Sequence, residues 1–168
     1  PPLYRTSTPQ LGMAATLLTS AQYQPLRVSP HLSDTFMWNG RPCKGNELHR
    51  AALDDCHDKA ARLLGEKPHL VHSRFFYQTK FRGKEQEGSG EAIHLAASRG
   101  HVRAVELLLS HGAQLDAWVT RDNQPHYDVM CAAVFAEGNG GDETMVRYLL
   151  EKRAPLTRNL DGRTPLHL

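Results

Sequence analysis

Ten histidines and three cysteines, Cys43, Cys56 and Cys131, are the side chains that could hold a metal or act as a nucleophile. The densest group is Cys43, His49, Cys56 and His57. Zinc sites rest on paired Cys or paired His spacings that set two ligands side by side, and this group has neither. No GxSxG turn and no cysteine-nucleophile signature occurs. Asp54, Asp55 and Asp58 crowd together, but paired-carboxylate chemistry needs a cleft that raises one pKa, and a solvated turn fits them better. The run Gly138 to Gly141 lacks the Lys and Ser/Thr of a phosphate loop, and no strand pattern precedes it. Asp142 and Glu143 behind it suit the start of a helix, whose dipole favours acids. The chain is therefore expected to be no enzyme, with no catalytic, cofactor-binding or metal residues.

The elements that hold these residues show up when the chain is laid on itself. The clearest unit is Glu91 to Ala117, EAIHLAASRGHVRAVELLLSHGAQLDA. A second copy lies 45 residues earlier, with Asn46 to Ala52 at the start and Ala60-Ala61-Arg62-Leu63-Leu64 in its second half. A third starts 36 residues later, at Val129-Met130-Cys131-Ala132-Ala133, and resumes at Thr144 to Lys152. A fourth begins at Asp161 with DGRTPLHL and breaks off at Leu168, so Leu168 is expected not to be a natural end.

This pattern closely resembles the ankyrin repeat. The marks are the Ile93-His94-Leu95-Ala96-Ala97 start, the Gly100-His101 turn, the Leu107 to Leu109 run and the Gly112-Ala113 exit. The resemblance implies repeats at about 43–75, 88–120 and 124–160, a partial one at 161–168, and an irregular or capping segment over residues 1–42. Each unit would be two short helices. Paired alanines let first helices approach closely, and a leucine face on the second helix is buried only by stacking. The expected fold is all-α, a solenoid of stacked helix pairs with long finger loops. In the family, the Thr and His of the TPLH segment fix the turn before the first helix. Here Thr164 and His167 keep both partners, and His49 and His94 take the same structural role.

Before the first unit, Leu11 to Tyr23 could form a helix. Gln24 to Lys44 reads as loop, with Phe36, Met37 and Trp38 tucked on the first unit's apolar end. Departures from a repeat mark binding loops, and two stand out. Arg74, Phe75, Phe76, Tyr77, Lys80, Phe81, Arg82 and Lys84 set four aromatics and four cations in one stretch without an acid. The loop Trp118 to Tyr127 adds Trp118, Arg121, His126 and Tyr127. Aromatics and Arg dominate binding energy at protein interfaces, so these are the expected partner-binding residues. Stacking of single-stranded nucleic acid on a basic floor is the weaker reading. The bland alternative is that Phe75, Phe76 and Phe81 pack on the stack while the cations stay solvated.

Charge adds little, since 20 basic against 18 acidic residues give a net +2, which makes no general case for nucleic acid or an anionic membrane. The uncharged run Thr6 to Leu26 carries two prolines and many polar residues, unlike a membrane span. Three cysteines are too few and odd in number for a disulfide framework, and suit a reducing intracellular compartment. The cytoplasm is favoured, and an acid-free leader leaves an organelle open. The expected function is a protein-interaction module, an adaptor or scaffold. It would bind an acidic, partly apolar protein through finger loops and concave face. The alternatives are a subunit of a larger assembly or a regulatory repeat domain of a longer enzyme.

Overall fold

A polar residue opens the first helix of each unit. The Asn46 side chain accepts the backbone N–H groups of Leu48 and His49, and Asp128 accepts that of Cys131 at 2.8 Å. In two units the third helical residue is a histidine whose Nδ1 accepts the backbone N–H of the cap, His49 from Asn46 at 2.9 Å and His94 from Glu91 at 3.1 Å. These bonds satisfy donors that a helix start leaves without partners. They also fix the register. Asp128 stands where Glu91 does, so Cys131, and not Met130 as the sequence alignment has it, takes the place of His94.

The computed structural model describes residues 32–134, 143–157, 162 and 164, all in the second of two units, His31–Leu168. The expected helix at Leu11 to Tyr23, the glycine run Gly138 to Gly141 and most of the fourth copy lie outside the described residues. The elements are β1 (Asp34–Trp38), β2 (Arg41–Gly45), α1 (Glu47–Leu53), α2 (His57–Glu66), β3 (Arg74–Phe81), β4 (Lys84–Glu91), α3 (Ala92–Ser98), α4 (Val102–Ser110), β5 (Trp118–Arg121), β6 (Gln124–Asp128), α5 (Val129–Val134) and α6 (Glu143–Glu151).

Three helix pairs stack in chain order. Helix α3 lies between α1 and α5, and α4 lies between α2 and α6. Ala51, Ala52, Ala96, Ala97 and Ala133 meet in one core with Leu64, Leu108, Met145 and Leu149. Small residues on the first helices allow the close approach, and each buried Leu or Met contributes about 1.5–3 kcal/mol. The turn between helices needs a left-handed residue. Gly100 supplies it in the second unit at φ 74°, and Asp55 takes it in the first at φ 54°, a conformation Asp tolerates better than most residues.

The all-α expectation is overturned by a six-stranded antiparallel sheet in the order β1-β2-β3-β4-β5-β6. Each finger is a two-stranded hairpin, and neighbouring hairpins pair edge to edge, which gives their backbone groups partners that isolated loops would lack. The turns are Asn39-Gly40, Arg82-Gly83 and Asp122-Asn123, every one of these residues at positive φ, the tight hairpin geometry that matches strand twist. The loop reading of Gln24 to Lys44 is corrected over its described part. Within the stretch read as loop, β1 and β2 form the first hairpin, Phe36 and Trp38 are buried beneath it, and Met37 is exposed.

The sheet folds back over the first helices. Its inner side carries Phe36, Trp38, Cys43, Phe75, Tyr77 and Val119, which pack with Leu53 of α1 and Leu95 of α3. The Trp38 indole N–H donates to Ser98 Oγ at the end of α3 at 2.8 Å. Every residue of α3 is consequently buried. Strand β4 makes room for the rings by lacking side chains: a Cβ on Gly88 would stand 2.1 Å from Tyr77 Cζ, and one on Gly90 would stand 2.9 Å from the Phe75 ring.

Two glycine substitutions should therefore move stability in opposite directions in denaturant melts. Gly88→Ala drives the Tyr77 ring from its seat and should cost roughly 1–3 kcal/mol. Gly65→Ala, in open space on α2, should gain about 0.5–1 kcal/mol from helix propensity. In the stack, Ala96→Leu should cost about 1–3 kcal/mol by overpacking; a wild-type melting temperature would show that α3 does not contact its neighbours as described.

Candidate interaction surface

The alternation of β3 sorts the expected binding residues. Phe75 and Tyr77 point inward and are 0% and 2% exposed, in a ring cluster with Trp38 at centroid distances of 5.0 Å and 5.6 Å. They are core, and no partner can touch them in this fold. Phe76 is half-buried on the opposite side, and Lys80 is exposed there. Arg74 is engaged within the sheet. Its guanidinium donates to Ser89 Oγ, Ser89 O and Trp118 O at 2.9 Å each, and faces Glu91 at 3.9 Å, so it ties β3, β4 and β5 together.

Phe81 ends the strand and is 49% exposed. Arg82 and Arg121 lie over its ring at 5.2 Å and 5.8 Å, within the range of cation–π attraction. Arg121 reaches it because β4 pairs with β5, with Gly88 opposite Arg121. The two departures from the repeat are thus neighbours in one sheet. Lys80, Phe81, Arg82 and Arg121 come together near the hairpin tips. Trp118 is half-buried beside Arg74, His126 is buried, and Tyr127 lies opposite Val119 on the inner side. The His126 and Tyr127 rings meet edge to face at 5.1 Å.

Charge follows position. On the outer side, Lys80 faces Glu85 and Gln78 faces Glu87 across β3–β4, so β4 brings acids beside the basic stretch. At the tips the balance is positive. Asp122 is occupied, accepting the Glu87 backbone N–H at 3.1 Å, and no ion pair to Arg41, Arg82 or Arg121 forms among the described residues. Arg41, at the start of β2, was not expected as a site residue. It stands over the Tyr77 ring at 5.9 Å. Its signal was the Asn39-Gly40 pair, a strong hairpin mark.

The family model for ankyrin repeats, in three copies, matches residues 48–154, more than half of the chain. The chain belongs to the ankyrin-repeat family. Ankyrin repeats generally mediate protein–protein interaction, and the family is typically non-catalytic. A comparison with curated proteins gives no match. No described helix of this ankyrin-repeat protein is long and apolar enough to cross a membrane.

His49, His94, Cys43 and Cys131 are buried within the structure. His49 Nε2–H donates to Ser73 O at 3.0 Å and His94 Nε2–H to Ala117 O at 3.1 Å, so each hooks its helix to the entry of the next hairpin. Burial lowers both imidazoles from 6.5 to about 4, so both are neutral at pH 7. Burial pushes the Cys43 and Cys131 thiols up to about 12, which removes them as nucleophiles. Asp54, Asp55 and Asp58 lie exposed on the α1–α2 turn.

The histidines predict an acid-sensitive stack. The unfolded chain binds protons on both imidazoles below pH 6.5, and the folded chain does not until about pH 4. Their contribution to stability is present above pH 6.5 and is lost as pH falls towards 4, by up to roughly 1.4 kcal/mol per pH unit for each. Glu91, raised by burial, opposes this in the carboxylate range, so the window to read is pH 6.5 to 5.5. Denaturant midpoints should drop across it, and His94→Gln should halve the slope; a flat profile would mean that the imidazoles are solvated.

Proposed function

We propose that the protein is an interaction module that docks a partner protein on the tips of its hairpin sheet. The observation that carries this reading is Phe81, a large apolar ring 49% exposed between two guanidinium groups, on a strand whose other inward rings are buried. An exposed aromatic flanked by Arg is the composition of an interface anchor. Trp38, Phe75 and Tyr77 fill the space between the sheet and the first helices, which supports the tips over the concave face as the docking surface. The surplus of cations at the tips favours an acidic partner with an apolar residue to cover Phe81. On the outer side, exposed Met37 and half-buried Phe76 extend the apolar area. Three free thiols, two of them buried, support a reducing compartment inside the cell.

The test separates anchor from core. With a cross-linked and identified partner, Phe81→Ala and Arg82→Ala should each weaken binding by about 2 kcal/mol, with the melting temperature unchanged within about 1 °C. Phe75→Ala should instead destabilise the fold by about 3–5 kcal/mol. Unchanged affinity in both tip variants would remove the hairpin tips as the docking surface.

A further inference from the structure

An edge strand turns half of its backbone groups away from its neighbour, and β1 is the first strand of the sheet. Its register shows which groups those are. Asn39 and Gly40, both at positive φ, close a two-residue turn, so Trp38 and Arg41 exchange hydrogen bonds, and Phe36 with Cys43 is the next bonded pair along the ladder. Between these, Met37 lies opposite Pro42, and beyond them Thr35 lies opposite Lys44. Pro42 has no N–H to give, as suits a pair without bonds. The N–H and C=O groups of Thr35 and Met37 therefore point to the free edge. Arg50 of α1 confirms the direction, since its Nη1 donates to the Thr35 carbonyl at 3.4 Å.

The Thr35 N–H, the Met37 N–H and the Met37 C=O have no hydrogen-bond partner among the described residues. A donor and an acceptor on one residue, with a further donor two residues away along the same edge, match an extended backbone. The side chains narrow the occupant. Phe36 and Trp38 are buried, while Thr35 and Met37 are exposed on the outer side, where Pro42 and half-buried Phe76 continue the apolar area. Lys44, exposed on that side opposite Thr35, forms no ion pair among the described residues.

We propose that β1 takes an extended segment of a partner protein as an added antiparallel strand, with an apolar residue opposite Met37 and an acid opposite Thr35 that pairs with Lys44. Strands lie about 4.8 Å apart, so the acid and Lys44 stand two strand spacings apart, a gap their side chains bridge over the short Thr35. A second copy of this chain fits less well. Two β1 strands paired about Phe36 would need the Thr35 carbonyl, which Arg50 holds, for half of their bonds, and each Lys44 would meet the other copy's Met37 rather than an acid. This site goes beyond docking at the tips, because the edge of β1 does not include Phe81.

The test follows the backbone amides of the full chain by NMR titration and hydrogen exchange. In the free protein the Thr35 and Met37 amides should exchange about tenfold or more faster than those of Phe36 and Trp38. The probe is a capped peptide of threonines with one valine and, two residues later, one glutamate. It should shift the Thr35 and Met37 amides and slow their exchange about tenfold. N-methylation of the valine removes the N–H that meets the Met37 carbonyl and should weaken binding about tenfold; N-methylation of the threonine after it, whose N–H faces away, should not. Lys44→Glu should reverse the preference for glutamate over lysine in the peptide. Phe81→Ala should leave the affinity unchanged, so the edge and the tips stand or fall separately. No binding of the valine–glutamate peptide, uniform exchange along β1 in the free chain, equal binding of the two N-methylated peptides, or shifts confined to the surroundings of Phe81 would each overturn the site. Self-association of the free chain that protects Thr35 and Met37 would overturn it too, by making a second copy the occupant.

Discussion

The architecture depends on aromatic rings laid over bare backbone. Trp38, Phe75 and Tyr77 occupy the layer between the sheet and the first helices, and Gly88 and Gly90 give two of those rings room to lie across β4. Without that layer the hairpins would be fingers standing off a helical stack. With it the sheet becomes a second face over α3, and the Trp38 bond to Ser98 carries the first hairpin across to the second unit. Repeat proteins are held mainly by contacts between neighbouring units. Here the same neighbours are joined twice, once through helices and once through paired strands.

Polar hooks tie the first helices to the hairpins that follow them. His49 and His94 each touch a helix cap with one ring nitrogen and a carbonyl ahead of the next hairpin with the other. A neutral imidazole can accept and donate at once, which is why burial and a lowered pKa suit this task. In the third unit, where Cys131 takes the place of His94, the cap residue Asp128 makes both contacts itself, accepting the Cys131 amide and the Thr157 hydroxyl. The same joint is thus built by two chemistries.

Packing and docking are assigned to different positions of one strand. Along β3 the inward residues Phe75 and Tyr77 bind the sheet to the helices, Arg74 ties three strands together, and only the distal end offers an exposed ring. A composition rich in aromatics and cations therefore serves two ends: rings fix the scaffold near its base, and a smaller group near the tips is left with unspent charge.

The sequence by itself determined the helix pairs. Their alanine and leucine spacing is local, repeated, and readable without knowing what lies nearby; the histidines of the first two units follow from the same spacing. It did not determine the sheet. Lys84 to Glu91 has the composition of a polar loop, and its glycines gain meaning only when the rings of β3 lie above them, while the turn marks Asn39-Gly40 and Arg82-Gly83 were present but masked by the helical reading. For the same reason the basic aromatic stretch was visible, yet which of its rings were core was not: that choice follows from strand alternation, and alternation exists only once the strands pair. The joining of Arg41 to Tyr77 and of Arg121 to Phe81 was decided by tertiary structure alone, because residues far apart in the chain meet through backbone hydrogen bonds that favour many sequences equally and so leave little trace in any one of them.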